Sequence, residues 1–179
     1  MALSSHLVQP LTMLLGVAIG FALSHALRKI ARPRRIPDET DTLTGVSTRA
    51  VGHAVLSTLR DGDAVAMIDL DTLKAVNDAH GHAAGDRDLV ALATHLASGL
   101  RAGDAVARWG GDEFVVVLRG AGTAATNIVD RLRASSAVAF SAGVAVHRDG
   151  PGDQTLAAAD AALLQAKRAG GSLVVQAEG

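Results

Sequence analysis

Cysteine is absent from the 179 residues, so disulfide staples and thiolate metal sites are excluded. That absence suits a reducing compartment. Aromatic residues make up only 2% of the chain, with one Trp, three Phe and no Tyr. The core must therefore be built from Ala, Val and Leu, which suits small, closely packed elements. Strong net charge is also missing, the formal value being −1. The balance hides an asymmetry. Residues 1–40 carry five basic residues (Arg28, Lys29, Arg32, Arg34, Arg35) and two acids, whereas residues 41–179 carry 12 basic and 16 acidic residues. A net-acidic domain is a poor candidate for binding nucleic acid and a fair one for holding divalent metal. Apolar residues are abundant, at 49%, which allows a packed core in one ordinary domain plus an appendage.

The appendage is N-terminal. Leu7 to Leu27 is a run of 21 residues without Lys, Arg, Asp or Glu. At about 1.5 Å rise per residue such a helix matches the roughly 30 Å hydrocarbon core of a bilayer. The basic cluster RKIARPRR follows at once, which places the C-terminal side in the cytoplasm by the positive-inside rule. Residues 1–30 are thus expected to form an apolar helix anchoring the protein in the inner (cytoplasmic) membrane as a single pass. The alternative is a cytoplasmic protein whose N-terminal helix serves only dimerisation. Residues 31–40 (ARPRRIPDET) read as a basic, proline-containing linker, leaving residues 41–179 as the main domain.

Within that domain the pattern predicts a helix over 51–60, a buried strand over 64–70 (AVAMIDL) and a short helix over 71–80. Gly81 and Gly85 are read as interruptions, with Asp86 capping a helix that runs to about Leu100. Two apolar strands, 105–109 and 113–118, flank Gly110-Gly111 as a hairpin. A helix over 123–135, a strand over 137–146 broken at Gly143, an Ala-rich helix over 155–168 and a last strand over 173–176 complete the series. A hairpin among mixed strands and helices argues an α+β fold, with helices flanking a central, mainly antiparallel sheet.

Two acidic clusters carry the candidate chemistry. Asp69-Leu70-Asp71 ends the buried strand, and Asp112-Glu113 lies at the hairpin tip. Carboxylates gathered in one place repel each other unless a cation joins them. With hard oxygen ligands and no thiolate, that cation is Mg2+ or Mn2+. Gly110 and Gly111, lacking Cβ atoms, let backbone approach a phosphate closely.

The segment RWGGDEFVVVL (Arg108–Leu118) resembles the signature hairpin of the GGDEF diguanylate cyclase family. The resemblance extends along nearly all of residues 41–179, in family order. Asp41-Thr42-Leu43-Thr44-Gly45 is similar to D-x-L-T-G, with Arg49 following. DLDTLKAVND (Asp69–Asp78) is similar to D-[IL]-D-x-F-K-x-x-N-D, and Gly81-His82 with Gly85-Asp86 to G-H-x-x-G-D. Ser141–Ala145 and Asp160–Gly170 are similar to the family's S-x-G-[VI]-[AS] strand and last helix.

The resemblance implies a fold like the palm of class III nucleotidyl cyclases. It implies condensation of two GTP into cyclic di-GMP with loss of two pyrophosphates, in a homodimer whose half-sites face each other. Carried over by position, Asp69, the Leu70 carbonyl, Asp112 and Glu113 would hold two metal ions per active site. Asp112 or Glu113 would take the hydroxyl proton, the family favouring Asp112. Lys74 and Lys167 would face the triphosphate, and Asn77, His82 and Asp86 would form the guanine pocket. Arg101 and Asp104 match the R-x-x-D of the family's product-inhibition site, where cyclic di-GMP is the inhibitor. Their plainer reading is a cation ending a helix and an ordinary turn residue. Departures from the family pattern are Leu73 for Phe, Leu164 for Tyr and Gly171 for an Arg that helps bind the γ-phosphate. They leave a second reading open, a weak or inactive domain acting as a receptor for GTP or cyclic di-GMP.

Overall fold

The structure, a computed structural model, describes residues 39–177. The elements are β1 (Ser47–Thr48), α1 (Arg49–Leu56), β2 (Ala64–Leu70), α2 (Leu73–His80), α3 (His82–Gly99), β3 (Ala105–Arg108), β4 (Glu113–Leu118), α4 (Ala125–Ser135), β5 (Phe140–Val146), α5 (Gly152–Arg168) and β6 (Val174–Gln176). A 3-10 turn, Gly122–Ala124, leads into α4. The strands form one sheet in the order β1-β3-β4-β2-β5-β6. The central pairs β3–β4, β4–β2 and β2–β5 are antiparallel, whereas the outer pairs β1–β3 and β5–β6 are parallel. The sheet is thus mixed, with an antiparallel centre.

Both faces of the sheet are covered, which is why β2 reads as an unbroken apolar run. Ala64, Ala66, Ile68 and Leu70 point to one side, where they join Leu89, Leu92 and Leu96 of α3 and Val129 and Leu132 of α4. Val65 and Met67 point to the other, where Leu56 of α1 and Ala159 and Leu163 of α5 meet them. Phe114 and Phe140 are fully buried in the first layer. On the second face the scarcity of large side chains is met by close backbone approach. A Cβ added at Gly143 of β5 would lie 2.0 Å from the Ala159 carbonyl oxygen and 2.1 Å from the Leu163 nitrogen. Gly143 therefore does not break its strand. It is where α5 rests directly on the sheet.

Other expectations are corrected in detail. The helix predicted from Asp86 begins at His82 and runs through Gly85. The break lies at Gly81, whose φ of 80° only glycine adopts readily. Gly85 lies inside the helix and is glycine because α2 leaves no room for a side chain, a Cβ there lying 2.1 Å from Asn77 Oδ1 and 2.8 Å from Leu73 Cδ1. Helix α1 starts earlier than expected and ends at Leu56, where the Ser57 and Thr58 hydroxyls bond back to the carbonyls of Ala54 and Val55.

The single-pass membrane location is also corrected. Among the described residues, no helix is long and apolar enough to cross a membrane. The apolar run of residues 7–27, on which that expectation rested, lies outside the described residues, as do the linker residues up to 38.

Candidate active site

The sheet brings the two acidic clusters together. Asp69, near the end of β2, is the register partner of Glu113, the first residue of β4. The Leu70 N–H donates to the Asp112 carbonyl at 3.3 Å, so Asp112 sits beside the turn that follows β2. The hairpin tip is closed by the N–H groups of Trp109 and Gly110, which both donate to the Glu113 carbonyl, at 2.8 and 3.3 Å. Gly110 has a local reason to be glycine. A Cβ there would lie 2.5 Å from Glu113 Oε2, so the Glu113 carboxylate folds back over it. Gly111 faces open space.

The hairpin is held from two sides. Trp109 is buried beneath α1, with the Arg49 guanidinium 4.9 Å from its ring centre and the His53 ring 4.4 Å away. On the other side, Arg108 Nη2 donates to the Gly111 carbonyl (2.7 Å) and Nη1 to Asp41 Oδ1 (3.1 Å). Asp41 also accepts from the Thr44 N–H (2.9 Å) and hydroxyl (2.7 Å). Burial pushes the Asp41 carboxyl up, but the Thr44 and Arg108 hydrogen bonds outweigh it and hold it below its ordinary range. The Asp41–Arg108 clamp escaped the sequence reading, because the partners are 67 positions apart. The one available signal was the presence of both residues within the matching motifs.

Lys167, near the end of α5, reaches into the acidic group. Its ammonium donates to Asp69 Oδ1 (2.5 Å), the Leu70 carbonyl (3.2 Å) and Asp71 Oδ1 (2.9 Å). Asp71 also accepts from the Ser141 hydroxyl at 2.6 Å and the Ser172 N–H at 2.8 Å. These contacts set the electrostatics. Burial pushes Asp69 up, Lys167 pulls it down, and the charges of Asp112 and Asp71 push it up again, for a net rise. Burial and then Asp69, Asp112 and Asp160 raise Glu113, against a smaller opposing pull from Arg49. Asp71 is also pushed up by burial, but Ser141, Lys167 and the Ser172 N–H bring it below its ordinary value. Burial lowers Lys167, and the two aspartates more than restore it.

Among the described residues, no three His, Asp or Glu side chains form a ready-made metal cage. The donor set nevertheless suits a hard cation. It is all oxygen and carries surplus negative charge. Two of its expected ligand groups, Asp69 Oδ1 and the Leu70 carbonyl, already hold an ammonium. A site that shares its ion with substrate phosphates needs only one or two carboxylates.

The remaining predicted residues divide. Asn77 of α2 faces α3, with its Oδ1 buried and without a partner. His82 and Asp86 are exposed on the first turns of α3, and Lys74 is exposed on the first turn of α2. Leu73 lies against Gly85 and packs on the first core layer. Arg101 and Asp104 are adjacent, Arg101 Nε lying 3.6 Å from Asp104 Oδ2, but they are unequal. The Arg101 side chain is 65% exposed and that of Asp104 only 6%. Asp104 Oδ1 accepts the Arg119 N–H at 2.9 Å, and Arg101 Nη2 donates to the Arg119 carbonyl.

Comparison with known proteins gives a consistent family. The family model "Diguanylate cyclase, GGDEF domain" matches residues 39–172. The chain is 38% identical over 152 residues to the diguanylate cyclase DgcP of Pseudomonas aeruginosa, covering 73% of this chain and 23% of that protein. It is 44% identical over 104 residues to the diguanylate cyclase TpbB of the same species, covering 53% of this chain and 24% of that protein. The chain therefore spans about a quarter of the length of these relatives. Among solved structures, the diguanylate cyclase SiaD of P. aeruginosa, in complex with its activator SiaC, superposes with a TM-score of 0.73 at 34% identity, covering 94% of this chain and 74% of that one. The GGDEF domain of DgcB from Caulobacter crescentus, in complex with c-di-GMP, gives 0.72 at 25% identity, covering 81% and 99%.

Proposed function

From the premise that this chain belongs to the GGDEF diguanylate cyclase family, we propose that residues 41–179 are a cyclase domain that condenses two GTP into cyclic di-GMP, releasing two pyrophosphates. The observation that carries this reading is the convergence of Asp69, Asp112, Glu113 and Lys167 at one end of β2.

Each GTP 3′-hydroxyl attacks the α-phosphate of the other, so two domains act face to face as a homodimer. Asp112 or Glu113 takes the hydroxyl proton. Asp69, the Leu70 carbonyl, Asp112 and Glu113 would hold Mg2+ or Mn2+, two ions per active site, whose Lewis acidity would polarise the phosphates. Lys167 and Lys74 offset the charge that builds on the triphosphate during transfer. Helix α2 begins directly after the Asp71-Thr72 turn, and its first N–H groups suit a phosphate. Asn77 and Asp86 read the base, with His82 beside them. Asn77 Oδ1 has no partner where it lies against Gly85, so turning it outward to meet the N–H donors of a guanine edge breaks no hydrogen bond.

The purified chain with GTP and Mg2+ should yield cyclic di-GMP by chromatography, and Asp112→Ala should lower the rate by at least about a thousandfold. No product together with tight cyclic di-GMP binding would replace the cyclase with the receptor reading, which Gly171 and Leu73 allow.

Product inhibition through Arg101 and Asp104 belongs to the same proposal. Exposed Arg101 supports it, whereas Asp104 is nearly buried and engaged by the Arg119 N–H. Arg101→Ala should raise the half-inhibitory concentration of cyclic di-GMP about tenfold, the worth of one charge-assisted contact. Unchanged inhibition would leave the pair as a helix end and a turn.

A further inference from the structure

Asp71 is the most fully hydrogen-bonded of the acids gathered at the end of β2, and none of the roles above uses it. Its side chain is 13% exposed. Its three donors come from three places: Ser141 from β5, Lys167 from α5 and the Ser172 N–H from the turn after α5. The Ser172 N–H also donates to Ser141 Oγ, at 2.9 Å, so Asp71, Ser141 and Ser172 close a ring of hydrogen bonds. The turn is shaped for this ring. Gly170, Gly171 and Ser172 all have positive φ, at 111°, 75° and 52°. A Cβ at Gly171 would lie 3.1 Å from Asp71 Oδ1. The glycine that departs from the family's arginine thus lets the turn close on Asp71 and deliver the Ser172 N–H.

Lys167 has acceptors of two kinds. Asp69 Oδ1 and the Leu70 carbonyl are oxygens that a substrate-borne divalent cation would need, whereas Asp71 Oδ1 is not one of them. Once the first two are taken, an ammonium on a flexible four-carbon stem would be released to solvent unless something else held it. A carboxylate that already accepts three hydrogen bonds can hold it with little repulsion toward a phosphate.

Resting on the cyclase reading of this site, we propose that Asp71 is a positioning residue. It retains Lys167 when the substrate's cation takes Asp69 and the Leu70 carbonyl, so the ammonium swings onto the polyphosphate instead of leaving the site.

A double-mutant cycle tests this. The dissociation constant of a non-reactive GTP analogue is measured calorimetrically with Mg2+ for the full chain, Asp71→Asn, Lys167→Met and the double variant. Each single change should weaken binding about tenfold, and the double variant should be weakened by little more than either, because an unanchored lysine has already lost its contact. Multiplying effects, about a hundredfold in the double variant, would overturn the proposal by showing that Asp71 acts without Lys167. So would an Asp71→Asn variant that binds as tightly as the original, or an original chain that binds no analogue. Ser141→Ala loosens Asp71 more gently and should weaken binding about threefold, which keeps the test open if Asp71→Asn does not fold. The original chain is also assayed for cyclic di-GMP. Analogue binding without product defeats the cyclase reading and still leaves the cycle to decide on Asp71.

Discussion

Strand β2 is preceded by Asp63 and carries Asp69 next to its last residue, and these two carboxylates sit in opposite settings. Asp63 is nearly buried, yet every oxygen is answered. Oδ1 accepts the Gly120 N–H at 2.7 Å, and Oδ2 accepts Arg119 Nη1 at 2.8 Å and the Arg60 N–H at 2.9 Å. Burial pushes its carboxyl up, but these partners bring it below its ordinary range. At the far end, Asp69 and Glu113 face each other and Asp112, and both are pushed upward, first by burial and then by like charge. One end is a closed knot that holds the α1–β2 loop to the end of β4. The other is short of positive charge, a condition that a folded chain sustains where a ligand is to supply it.

The largest effect that would sharpen this contrast is at Asp63. Asp63→Ala removes the carboxylate partner of Arg119, which keeps only its Thr58 contacts, and leaves the Arg60 and Gly120 N–H groups without their acceptor; it should lower the unfolding free energy by about 2 kcal/mol in urea titrations at neutral pH. A loss below about 0.5 kcal/mol would mean the knot is no different from a surface pair. The pH dependence has a definite sign. The folded pKa of Asp63 is depressed, so its contribution is complete above the ordinary aspartate value and is lost as pH falls through the folded value. The variant's stability should therefore fall less steeply in acid.

Glu113→Gln should act the other way and more weakly, raising stability at pH 7 by less than about 1 kcal/mol. Its folded pKa is raised, so the cost of ionising it is complete above that value and absent below the ordinary glutamate value. The gain should vanish as pH drops through that window. A loss of stability at pH 7 would break the comparison.

The knot and the site were not equally legible beforehand. Strands β2 and β4 could be read to the residue, because apolar runs buried on both faces and bounded by turns leave little choice of limits. Asp69, Asp112 and Glu113 were legible as motif residues at strand ends. Their partners were not. The Ser141 hydroxyl and Ser172 N–H that hold Asp71 lie 70 and 101 positions away. Strand β1 was missed because it is two residues long and pairs in parallel with β3, after some 60 intervening residues. Gly85 and Gly143 were misread as breaks for one shared reason. Glycine marks both a turn and a point of closest packing, and only the neighbouring backbone or side chain distinguishes them.

The contact at Gly143 bears on how the site can adapt. Helix α5 touches down on β5 with no clearance, main chain against main chain, from Ala159 to Leu163, the last of these only four positions before Lys167. A beam seated this way has no play. It can neither rock toward an arriving nucleotide nor lift away from a departing product without parting from the sheet. The adjustable part is the lysine stem that overhangs the end of the beam, so its reach sets the working stroke on that side of the site.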